Sequence, residues 1–481
     1  MQRHAASGDL PRPGAHIHLI GVAGAGMRGL GLLLTEAGYQ VSGCDRVGTL
    51  DLPELAAVGA SLAVGHDPSH VERAALVIHT SALPADHPEL LAAQRLGIPV
   101  LKRARALAAL LNHRRLAAVA GTHGKTSITA LAGLACTAAG LDPAVAVGGH
   151  VPMWSGFARV GAGDVAIVEA DEYDRSFLEL DPQLVLISSI EAEHLDTYGS
   201  VQDLEQAYRE LALRALDRDG LVYCADDSGA RRIGERLGGA SYGFATEADY
   251  RVEVLHRAGR SQLCRLFAPG GELQFGLDVP GDHNAQNAAG ALAVALRLVG
   301  PAGVGEGLPG VPPPHEAEVL STSMLSTAFA RFGGVDRRLQ LLVDEAGTAV
   351  LDDYAHHPTE VAASLAALRS AYPNRRLIVV FQPHLFSRTQ MFAAELAEAL
   401  ATADDALVLP VYPAREEPIP GVDSGLISAA AAGKVRLATE EEALFAAGSL
   451  QSPSAVVFMG AGDVTELAHR AAEERVDAVG G

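Results

Sequence analysis

Short apolar runs alternate with amphipathic helical stretches along most of the chain. From residue 16, the apolar run HIHLIGV leads through the glycine-rich AGAGMRG into the helical LGLLLTEAG, and YQVSGCD follows as a second strand. After Arg114 the order repeats in LAAVAGTHGKTSITALAGLAC, with further strands predicted at 164–170 and 183–190. Because alternating buried strands and helices are typical of a parallel, helix-covered sheet, the pattern predicts an α/β protein.

A stretch rich in Pro and Gly, residues 301–318, breaks both periodicities and predicts the approach to a domain boundary. Beyond it, the strand candidates TAVLDDYAHHP, RRLIVVFQPH, DALVLPVYP and SAVVFMGAG are separated by Ala- and Leu-rich helices. At roughly 150 residues per domain, a chain of 481 residues has room for about three domains. We therefore expect three α/β domains, at residues 1–112, 113–320 and 321–481.

Acidic residues outnumber basic ones, and lysine is nearly absent. The chain has 37 Lys and Arg against 58 Asp and Glu, which gives a net charge of −21 with histidine neutral. Because nucleic acids and anionic lipids attract basic surfaces, this balance argues against nucleic-acid and membrane partners. The only lysines are Lys102, Lys125 and Lys434, so each becomes a candidate for a specific role.

The four cysteines lie far apart in the sequence and form no C-x-x-C pair: Cys44, Cys136, Cys224 and Cys264. This spacing predicts reduced, mostly buried thiols rather than a disulfide framework or a zinc site. The polar N-terminus lacks the apolar core of a signal peptide, and no uncharged apolar run approaches the roughly 20 residues of a membrane helix. We expect a cytoplasmic protein that is a monomer or a weak homodimer.

The first glycine-rich turn, Gly24–Gly29, fits the pattern G-x-G-x-x-G between a strand and a helix, and Asp45 ends the next strand. Glycines at Gly24 and Gly26 let backbone N–H groups approach a pyrophosphate, and the acid can hold a ribose hydroxyl. A tight turn without a ligand is the alternative, which the strand–turn–helix context disfavours. A dinucleotide and a UDP-sugar both carry these groups, so the motif does not choose between them.

The second glycine-rich turn, residues 120–127, is a stronger indication of phosphate binding than the first. A buried strand delivers the chain to a loop that opens a helix, so that N–H groups converge on phosphates, while Lys125 adds a mobile positive charge and Thr126 a hydroxyl for Mg²⁺. The strict P-loop spacing would place Gly at 119, where this chain has Val119, so the loop is a variant. The candidate phosphate-binding residues are Gly121, Thr122, His123, Gly124, Lys125, Thr126 and Ser127.

Acidic residues crowd the ends of the next two predicted strands. Residues 169–174 read EADEYD, and residues 191–196 read EAEHLD. Carboxylates at the C-terminal ends of parallel strands, close to a phosphate loop, suit Mg²⁺ held against nucleotide oxygens. A solvated acidic loop is the alternative, and the position at two successive strand ends favours the metal.

Three further polar clusters are weaker candidates taken singly. Residues 282–287, DHNAQN, start an Ala-rich helix, where their amides can read a base edge or simply cap the helix. In the last third, residues 352–358 and 381–384 follow strands, where open α/β sheets bind ligands. Arg388 can pair a carboxylate through two parallel hydrogen bonds.

Ten motifs occur in an order that resembles one family, the ATP-dependent Mur ligases of peptidoglycan synthesis. Between His16 and Asp463 they are GVAGAGM, GTHGKTS, EADEYDRSF, EAEHLDTYG, PGDHNAQNAAGA, FGGVDRR, DDYAHHPTE, FQPHLFSRT, VYPAREEPIPG and MGAGD. The resemblance implies a Rossmann-like N-terminal domain for the UDP of the substrate and a central P-loop-type mononucleotide-binding domain for Mg-ATP. It also implies a Rossmann-like C-terminal domain for the amino acid.

The resemblance implies an ATP-dependent amide ligase with ATP and Mg²⁺ as cofactors. Transfer of the γ-phosphoryl group would turn a carboxylate into an acyl phosphate, which an amine then attacks, and the enzyme would contribute charge neutralisation and alignment. Within the family, the chain is most similar to the branch that joins L-alanine to the lactyl carboxylate of UDP-N-acetylmuramate. These two molecules are therefore the expected substrates.

The resemblance also implies roles for individual residues. Lys125 is implied to stabilise the transferring phosphoryl group. Thr126 and Glu172 are implied to hold one Mg²⁺ ion, and His194 to ligate a second. Those implied to contact ATP elsewhere are His283, Asn284, Asn287 and Asp353. Those implied to surround the reacting carboxylate and the amino acid are His357, His384 and Arg388, and those implied to meet the UDP part are Gly24, Gly26, Asp45 and Ser81.

The sequence departs from the family pattern at four places, namely Ala23 for a Gly, Ser188-Ser189 for Thr-Asn, Glu193 for an Asp and Leu385 for an Arg. With Leu385 in that position, Arg388 becomes the expected clamp for a carboxylate. No lysine lies between Lys125 and Lys434, so the central domain cannot carry the carbamylated lysine with which several Mur ligases hold metal. The alanine-adding branch fits that absence.

Three other functions stay open at this point. The nearest is a recycling ligase that attaches a whole tripeptide to the same UDP-sugar, although DTYG and VYPAREEPIPG are more similar to the alanine branch. A nucleotide-binding oxidoreductase would leave the phosphate loop unexplained, and a UDP-sugar sensor would show no turnover. The acidic composition, with Arg in place of Lys, also suggests adaptation to a salt-rich cytoplasm.

Overall fold

The computed structural model describes residues 10–46, 52–215, 220–300, 320–414, 416–448 and 453–480. The chain forms two compact units. The first comprises residues 1–253, 265–275 and 286–332, and the second comprises residues 254–264, 276–285 and 333–481. The predicted boundary segment at 301–318 lies outside the described residues.

Twenty-one strands are present in the described residues, and they form three sheets. The strands are β1 His16–Ile20, β2 Gln40–Asp45, β3 Ser61–Val64, β4 Leu76–His79, β5 Val100–Lys102, β6 Arg115–Ala120, β7 Ala144–Val151, β8 Gly156–Arg159, β9 Val165–Glu169, β10 Leu184–Ile187, β11 Leu221–Cys224, β12 Ala240–Gly243, β13 Tyr250–Ala258, β14 Ser261–Ala268, β15 Gly271–Leu277, β16 Gln340–Glu345, β17 Thr348–Asp353, β18 Arg376–Phe381, β19 Asp405–Val408, β20 Val435–Leu437 and β21 Ser454–Met459.

Fifteen α-helices occur in the same described residues. They are α1 Ala25–Glu36, α2 Pro53–Ala57, α3 Pro88–Leu96, α4 Arg103–Leu111, α5 Lys125–Ala138, α6 Leu195–Tyr198, α7 Val201–Ala212, α8 Ser228–Leu237, α9 Asp282–Val299, α10 Thr322–Phe329, α11 Pro358–Ala371, α12 Phe386–Leu400, α13 Gly425–Ala430, α14 Glu440–Gly448 and α15 Val464–Gly480.

The first sheet is parallel and has the order β3-β2-β1-β4-β5. This order, in which β1 lies between β2 and β4, is that of the mononucleotide-binding half of a Rossmann fold. The strands predicted at HIHLIGV and YQVSGCD are β1 and β2. The change of winding direction at β1 opens a crevice at the carboxyl ends of β1 and β4, where such sheets bind ligands.

The second sheet has ten strands in the order β15-β14-β13-β12-β11-β10-β6-β9-β7-β8. Its parallel centre places β6 between β9 and β10. The strands predicted at 164–170 and 183–190 are β9 and β10, so the two acidic segments end the strands on either side of β6. The glycine-rich loop that follows β6 is therefore flanked by both.

The third sheet has the order β16-β17-β21-β18-β19-β20 and is parallel except for β16, which forms an antiparallel edge strand. Each predicted domain contains one of the three sheets, which confirms the α/β fold class. The boundaries near residues 112 and 320 stay predictions. Strands β17, β18 and β21 are almost entirely buried, because helices cover both faces of a sheet of this kind.

All four cysteines are buried and free, as the sequence predicted. Among the described residues, no helix is both long enough and apolar enough to cross a membrane.

At Gly29, the third glycine of the first motif, helix α1 packs very close to β8 of the second sheet. A Cβ atom at this position would lie 2.7 Å from the carbonyl oxygen of Phe157 in β8. Alanine favours a helix over glycine by about 1 kcal/mol, but overpacking against a rigid backbone costs about 1–3 kcal/mol. Close packing therefore explains a glycine inside this helix.

We predict that Gly29→Ala lowers the free energy of unfolding by about 1 kcal/mol, because overpacking against the rigid backbone of β8 outweighs the gain of about 1 kcal/mol in helix propensity. The only tryptophan, Trp154, lies two residues before β8, so urea unfolding followed by its fluorescence measures the effect locally. Glu36→Ala, at an exposed position of the same helix, is the control and should change stability by less than about 0.5 kcal/mol. A Gly29→Ala protein as stable as the wild type would contradict the packing argument.

Candidate functional site

The second glycine-rich loop connects β6 to α5, and its shape depends on two glycines. Gly121 has φ +134° and Gly124 has φ +83°, in the range that favours glycine. A Cβ atom on Gly121 would lie 2.1 Å from Ser188 Oγ. Because α5 begins at Lys125, its first N–H groups, including that of Ser127, have no partner within the helix, and this end suits an anion.

Ser188 and Ser189, which follow β10, hold the loop in place. Ser189 accepts hydrogen bonds from the backbone N–H of Thr122, through its carbonyl oxygen at 2.9 Å, and of His123, through Oγ at 2.9 Å. Ser188 Oγ donates to the carbonyl oxygen of His123. The small hydroxyl side chains that depart from the family pattern therefore support the phosphate loop directly.

Lys125 forms a buried ion pair at the start of α5. Its Nζ donates to Glu172 Oε2 at 2.8 Å, to the carbonyl oxygen of Thr122 at 3.2 Å and to that of Gly121. Burial by itself would lower the pKa of Lys125, but Glu172, Asp171 and Glu169 together outweigh burial and raise it. The side chain is therefore a permanent positive charge beside the loop.

The structure pairs Thr126 with a carboxylate other than the expected one. Thr126 Oγ1 donates to Glu169 Oε1 at 3.0 Å, and the other oxygen of Glu169 accepts from the N–H of Gly148 at 2.6 Å. Glu172, which the resemblance placed with Thr126 on one Mg²⁺, is instead bound to Lys125. Glu169 thus joins the list of candidate metal ligands.

Glu172, Glu193 and His194 form a second group of potential metal ligands. One ligand atom from each residue lies within 4.8 Å of the other two. His194 lies beside Glu172, with Nε2 3.9 Å from Oε1, although the resemblance assigned these two residues to different Mg²⁺ ions. Burial raises the pKa of Glu172 to about 7, although the Lys125 ammonium acts to lower it. Two carboxylates and an imidazole this close together fit a site for a divalent cation.

The predicted base-contacting helix α9 contributes residues with different surroundings. Asn287 lies against the phosphate loop, since a Cβ atom on Gly124 would lie 2.5 Å from its Oδ1. Asn284 is buried and donates through Nδ2 to the carbonyl oxygen of Pro280 at 2.7 Å, which closes the turn before the helix. Burial lowers the pKa of His283 to about 4, so its imidazole is neutral at neutral pH.

His384, after β18, and Arg388, in α12, lie next to each other. Arg388 Nη1 lies 3.2 Å from His384 Nδ1, and the His384 ring stacks on Tyr412 with centroids 5.7 Å apart. Leu385 between them has φ +71°, a strained conformation for a branched residue, and it caps α12. Local backbone strain of this kind is typical of functional loops.

Asp353 and His357 flank the turn between β17 and α11. Burial raises the pKa of Asp353 to about 6, although Ser364 acts to lower it. His357 is the N-cap of α11: its Nδ1 accepts from the N–H of Thr359 at 3.4 Å, and its ring lies edge-on to Phe392. His357 therefore stabilises the helix start, and its catalytic role stays a prediction.

The first glycine-rich turn is closed by the predicted acid. Asp45 Oδ2 accepts from the N–H of Ala23 at 3.0 Å, and Gly24 is the N-cap of α1. A Cβ atom on Gly26 would lie 2.8 Å from Arg103 Nη1, so a guanidinium group lies over this turn. A cation at this position can neutralise a pyrophosphate held by the turn.

Ser81, after β4, is linked to the acidic segment after β9. Hydrogen bonds from Lys102 and from Ser81 lower the pKa of Asp174. Asp174 itself has φ +57°, in the left-handed region. A lysine retained in a lysine-poor chain thus pairs with the EADEYD motif.

Glu169 and Glu193 belong to the acidic motifs that the sequence indicated for Mg²⁺, but they received no individual role there, and Arg103 was missed. Their motifs were the available signal: Glu169 is the last residue of β9, and Glu193 lies six residues after the end of β10. Arg103 carries no such signal, because it is one of 34 arginines, the 37 basic residues less three lysines, and only the fold brings it to Gly26.

Three models of one protein family match successive parts of the chain. They are the Mur ligase family catalytic domain at residues 16–115, the Mur ligase middle domain at residues 119–295 and the Mur ligase glutamate ligase domain at residues 337–462. The match order follows the order of the three sheets.

Relatives match nearly the whole chain. UDP-N-acetylmuramate–L-alanine ligase from Streptomyces coelicolor is 39% identical over 467 residues, 95% of this chain and 97% of the relative. The enzyme of the same name from Kineococcus radiotolerans is 41% identical over 468 residues, 94% of each chain.

Solved structures show the same architecture. The UDP-N-acetylmuramate-alanine ligase of Thermotoga maritima has a TM-score of 0.77 at 25% identity and covers 96% of this chain and 100% of its own. A murein peptide ligase from Psychrobacter arcticus shares the fold with a TM-score of 0.67 at 21% identity, over 96% of this chain and 98% of its own. With family matches along most of its length and relatives about 40% identical, this chain belongs to the Mur ligase family.

Proposed function

We propose that this chain joins L-alanine to the lactyl carboxylate of UDP-N-acetylmuramate in a reaction driven by ATP. Relatives that are 39–41% identical over nearly their full length are named for this ligation, whereas the murein peptide ligase is 21% identical. The observation that carries the proposal is the buried Lys125–Glu172 pair at the phosphate loop, next to the Glu193 and His194 donors.

The reaction must overcome the poor reactivity of a carboxylate, whose leaving group would be oxide. ATP supplies a phosphoryl group that converts this oxygen into a good leaving group, as an acyl phosphate. The protein then has to neutralise the anionic oxygens and hold the reacting groups in line.

Lys125 is placed to neutralise the transferring phosphoryl group. Its ammonium is held by Glu172 and also touches two loop carbonyl oxygens, those of Gly121 and Thr122. A phosphoryl oxygen can replace the carbonyl contacts while the bond to Glu172 keeps the side chain in position. The charge is thus preorganised, which is how such sites lower the barrier.

We assign the cation sites to the residues that end β9 and β10. Carboxylate oxygens are the ligands that Mg²⁺ prefers, and Glu172, Glu193 and His194 place their donor atoms within 4.8 Å of one another. Thr126 with Glu169 offers a second pair of oxygens, 3.0 Å apart. Mg²⁺ there would offset the negative charge of the nucleotide phosphates.

The remaining predicted residues fit the binding of the other groups. Arg388, held by His384, can pair a carboxylate bidentately, which suits an amino-acid substrate. Asp45 and Arg103 border the first glycine-rich turn, where a ribose hydroxyl and a pyrophosphate would lie.

The first test separates the amine substrates. With UDP-N-acetylmuramate and Mg-ATP, we expect phosphate release when L-alanine is added and none above background with the tripeptide of the recycling reaction. Release with the tripeptide alone would refute the proposal, and absence of turnover with either would favour a sensor.

The second test removes the ammonium group. We expect Lys125→Ala to lower kcat by about 10³-fold or more, because the developing phosphoryl charge loses its preorganised counter-charge. Lys434→Ala removes one of the other two lysines from an exposed position and should leave kcat unchanged. Near-normal turnover in Lys125→Ala, with thermal unfolding confirming that both variants fold, would overturn the assignment.

The third test concerns the cation site. Glu193→Gln keeps the size of the side chain but removes its charge, and we expect the Mg²⁺ concentration for half-maximal activity to rise by about 10- to 100-fold. Glu235→Gln, at an exposed position of α8, is the matched control. An unchanged Mg²⁺ requirement in Glu193→Gln would remove Glu193 from the site.

A further inference from the structure

Six side chains with metal-binding chemistry converge beside the first sheet, and the proposed function uses none of them. They are His18 in β1, Cys44 in β2, Glu89 in α3, His66 and His70 between β3 and β4, and His87 between β4 and α3. They come from five separate places in the sequence, which explains why the wide spacing of the cysteines predicted no zinc site. The fold brings together side chains that no short sequence motif predicts to be close.

Glu89 is the centre of this cluster and is completely buried. Cys44 Sγ donates toward the carboxylate, with 3.2 Å to each oxygen. His70 Nδ1 lies 2.7 Å from Oε1, and His66 Nδ1 lies 3.2 Å from Oε2. A carboxylate buried this deeply needs positive charge, and histidine imidazoles supply it only when they are protonated.

The donor atoms lie close to the spacing of a tetrahedral metal site. One ligand atom from each of His18, Cys44, His70 and Glu89 lies within 4.8 Å of the others, and His18 Nε2 lies 3.4 Å from Cys44 Sγ. Zinc bonds of about 2.0–2.3 Å correspond to ligand–ligand separations of roughly 3.3–3.8 Å in a tetrahedron. Small side-chain movements are therefore sufficient to enclose an ion.

The surroundings orient the ligands as they do in known metal sites. His18 Nδ1 lies 2.8 Å from Ser42 Oγ, which itself lies 2.7 Å from His16 Nε2. Because residues two apart in a strand face the same side, these three polar side chains of β1 and β2, together with Cys44, share one face. A hydrogen bond at one ring nitrogen leaves the other directed toward the metal.

Hydrogen bonding does not account for the burial of one nitrogen atom in the cluster. His87 Nδ1 is buried and has no hydrogen-bond partner among the described residues, and it lies 3.9 Å from Glu89 Oε2. A network built only for hydrogen bonds would satisfy a buried nitrogen of this kind. The unpaired atom points to a ligand at the carboxylate.

We propose that His18, Cys44, His70 and Glu89 bind one Zn²⁺ ion, with His66 and His87 beside the other oxygen of Glu89. Thiolate and imidazole donors select Zn²⁺ over the Mg²⁺ of the ATP site. On binding, the sulfur–zinc bond forms as the thiol proton leaves to solvent. With four protein ligands and no open position, the ion is structural and links β1 and β2 to α3.

The ion has a route to this site. A cavity of about 290 Å³ is lined by His16, His18, Ser42, His70 and Arg73, among others. It therefore reaches two of the proposed ligands directly, so binding does not require unfolding of the domain.

The test uses the full-length, untagged protein after chelation and dialysis. Titration with Zn²⁺ alone should give one tightly bound ion per chain, and excess Mg²⁺ should not displace it. Replacement by Co²⁺ should produce a thiolate-to-cobalt charge-transfer band. Failure of the chelated wild-type protein to bind Zn²⁺ would refute the proposal, since Mg²⁺-dependent ligase activity can persist in that case.

Matched variants assign the ligands. Cys44→Ser should abolish the charge-transfer band and weaken Zn²⁺ binding by at least about 100-fold, whereas Cys136→Ser, a buried cysteine of α5, should retain both. If Cys44→Ser does not fold, His70→Gln, at a partly exposed position, should still weaken binding by about 10-fold or more. Unchanged Zn²⁺ affinity in these variants would show that the ion binds elsewhere and would overturn the site.

Discussion

A buried ion pair between Lys125 and Glu172 underlies the proposed active site. The nitrogen and oxygen lie 2.8 Å apart, and Glu172 is 1% exposed. Removing either member of such a pair leaves an uncompensated buried charge, which typically costs about 3–5 kcal/mol. Because the pair joins the first residue of α5 to the segment after β9, it fixes the phosphate loop against the acidic segment, and local stability and catalytic geometry depend on the same contact.

Carboxylates at strand ends serve a related purpose elsewhere in the molecule. Asp45 holds the N–H of Ala23 in the first turn, and Glu169 holds the N–H of Gly148 and the hydroxyl of Thr126. These groups keep polar turns ordered where the backbone has no regular partner. The same acids are well placed to exchange backbone donors for a ribose hydroxyl or a cation.

Much of the fold and part of the site followed from local patterns. Alternating apolar runs predicted β1, β2, β9 and β10, and the glycine-rich motif predicted that α5 begins at the phosphate loop. The pairing inside the site did not follow, since Thr126 meets Glu169 rather than Glu172. The choice between two carboxylates three residues apart depends on how the chain turns after β9, which sequence spacing does not specify.

The sequence by itself determined the α/β class, the two glycine-rich loops and the acidic strand ends, because periodicity, turn chemistry and motif order are local properties. Only the tertiary structure decided which side chains meet across distant segments. Arg103 reaches Gly26, and Cys44 meets Glu89, 45 residues away, because parallel strands and their crossover helices bring remote residues to one face. Contacts of this kind depend on packing in three dimensions, and no spacing along the chain encodes them.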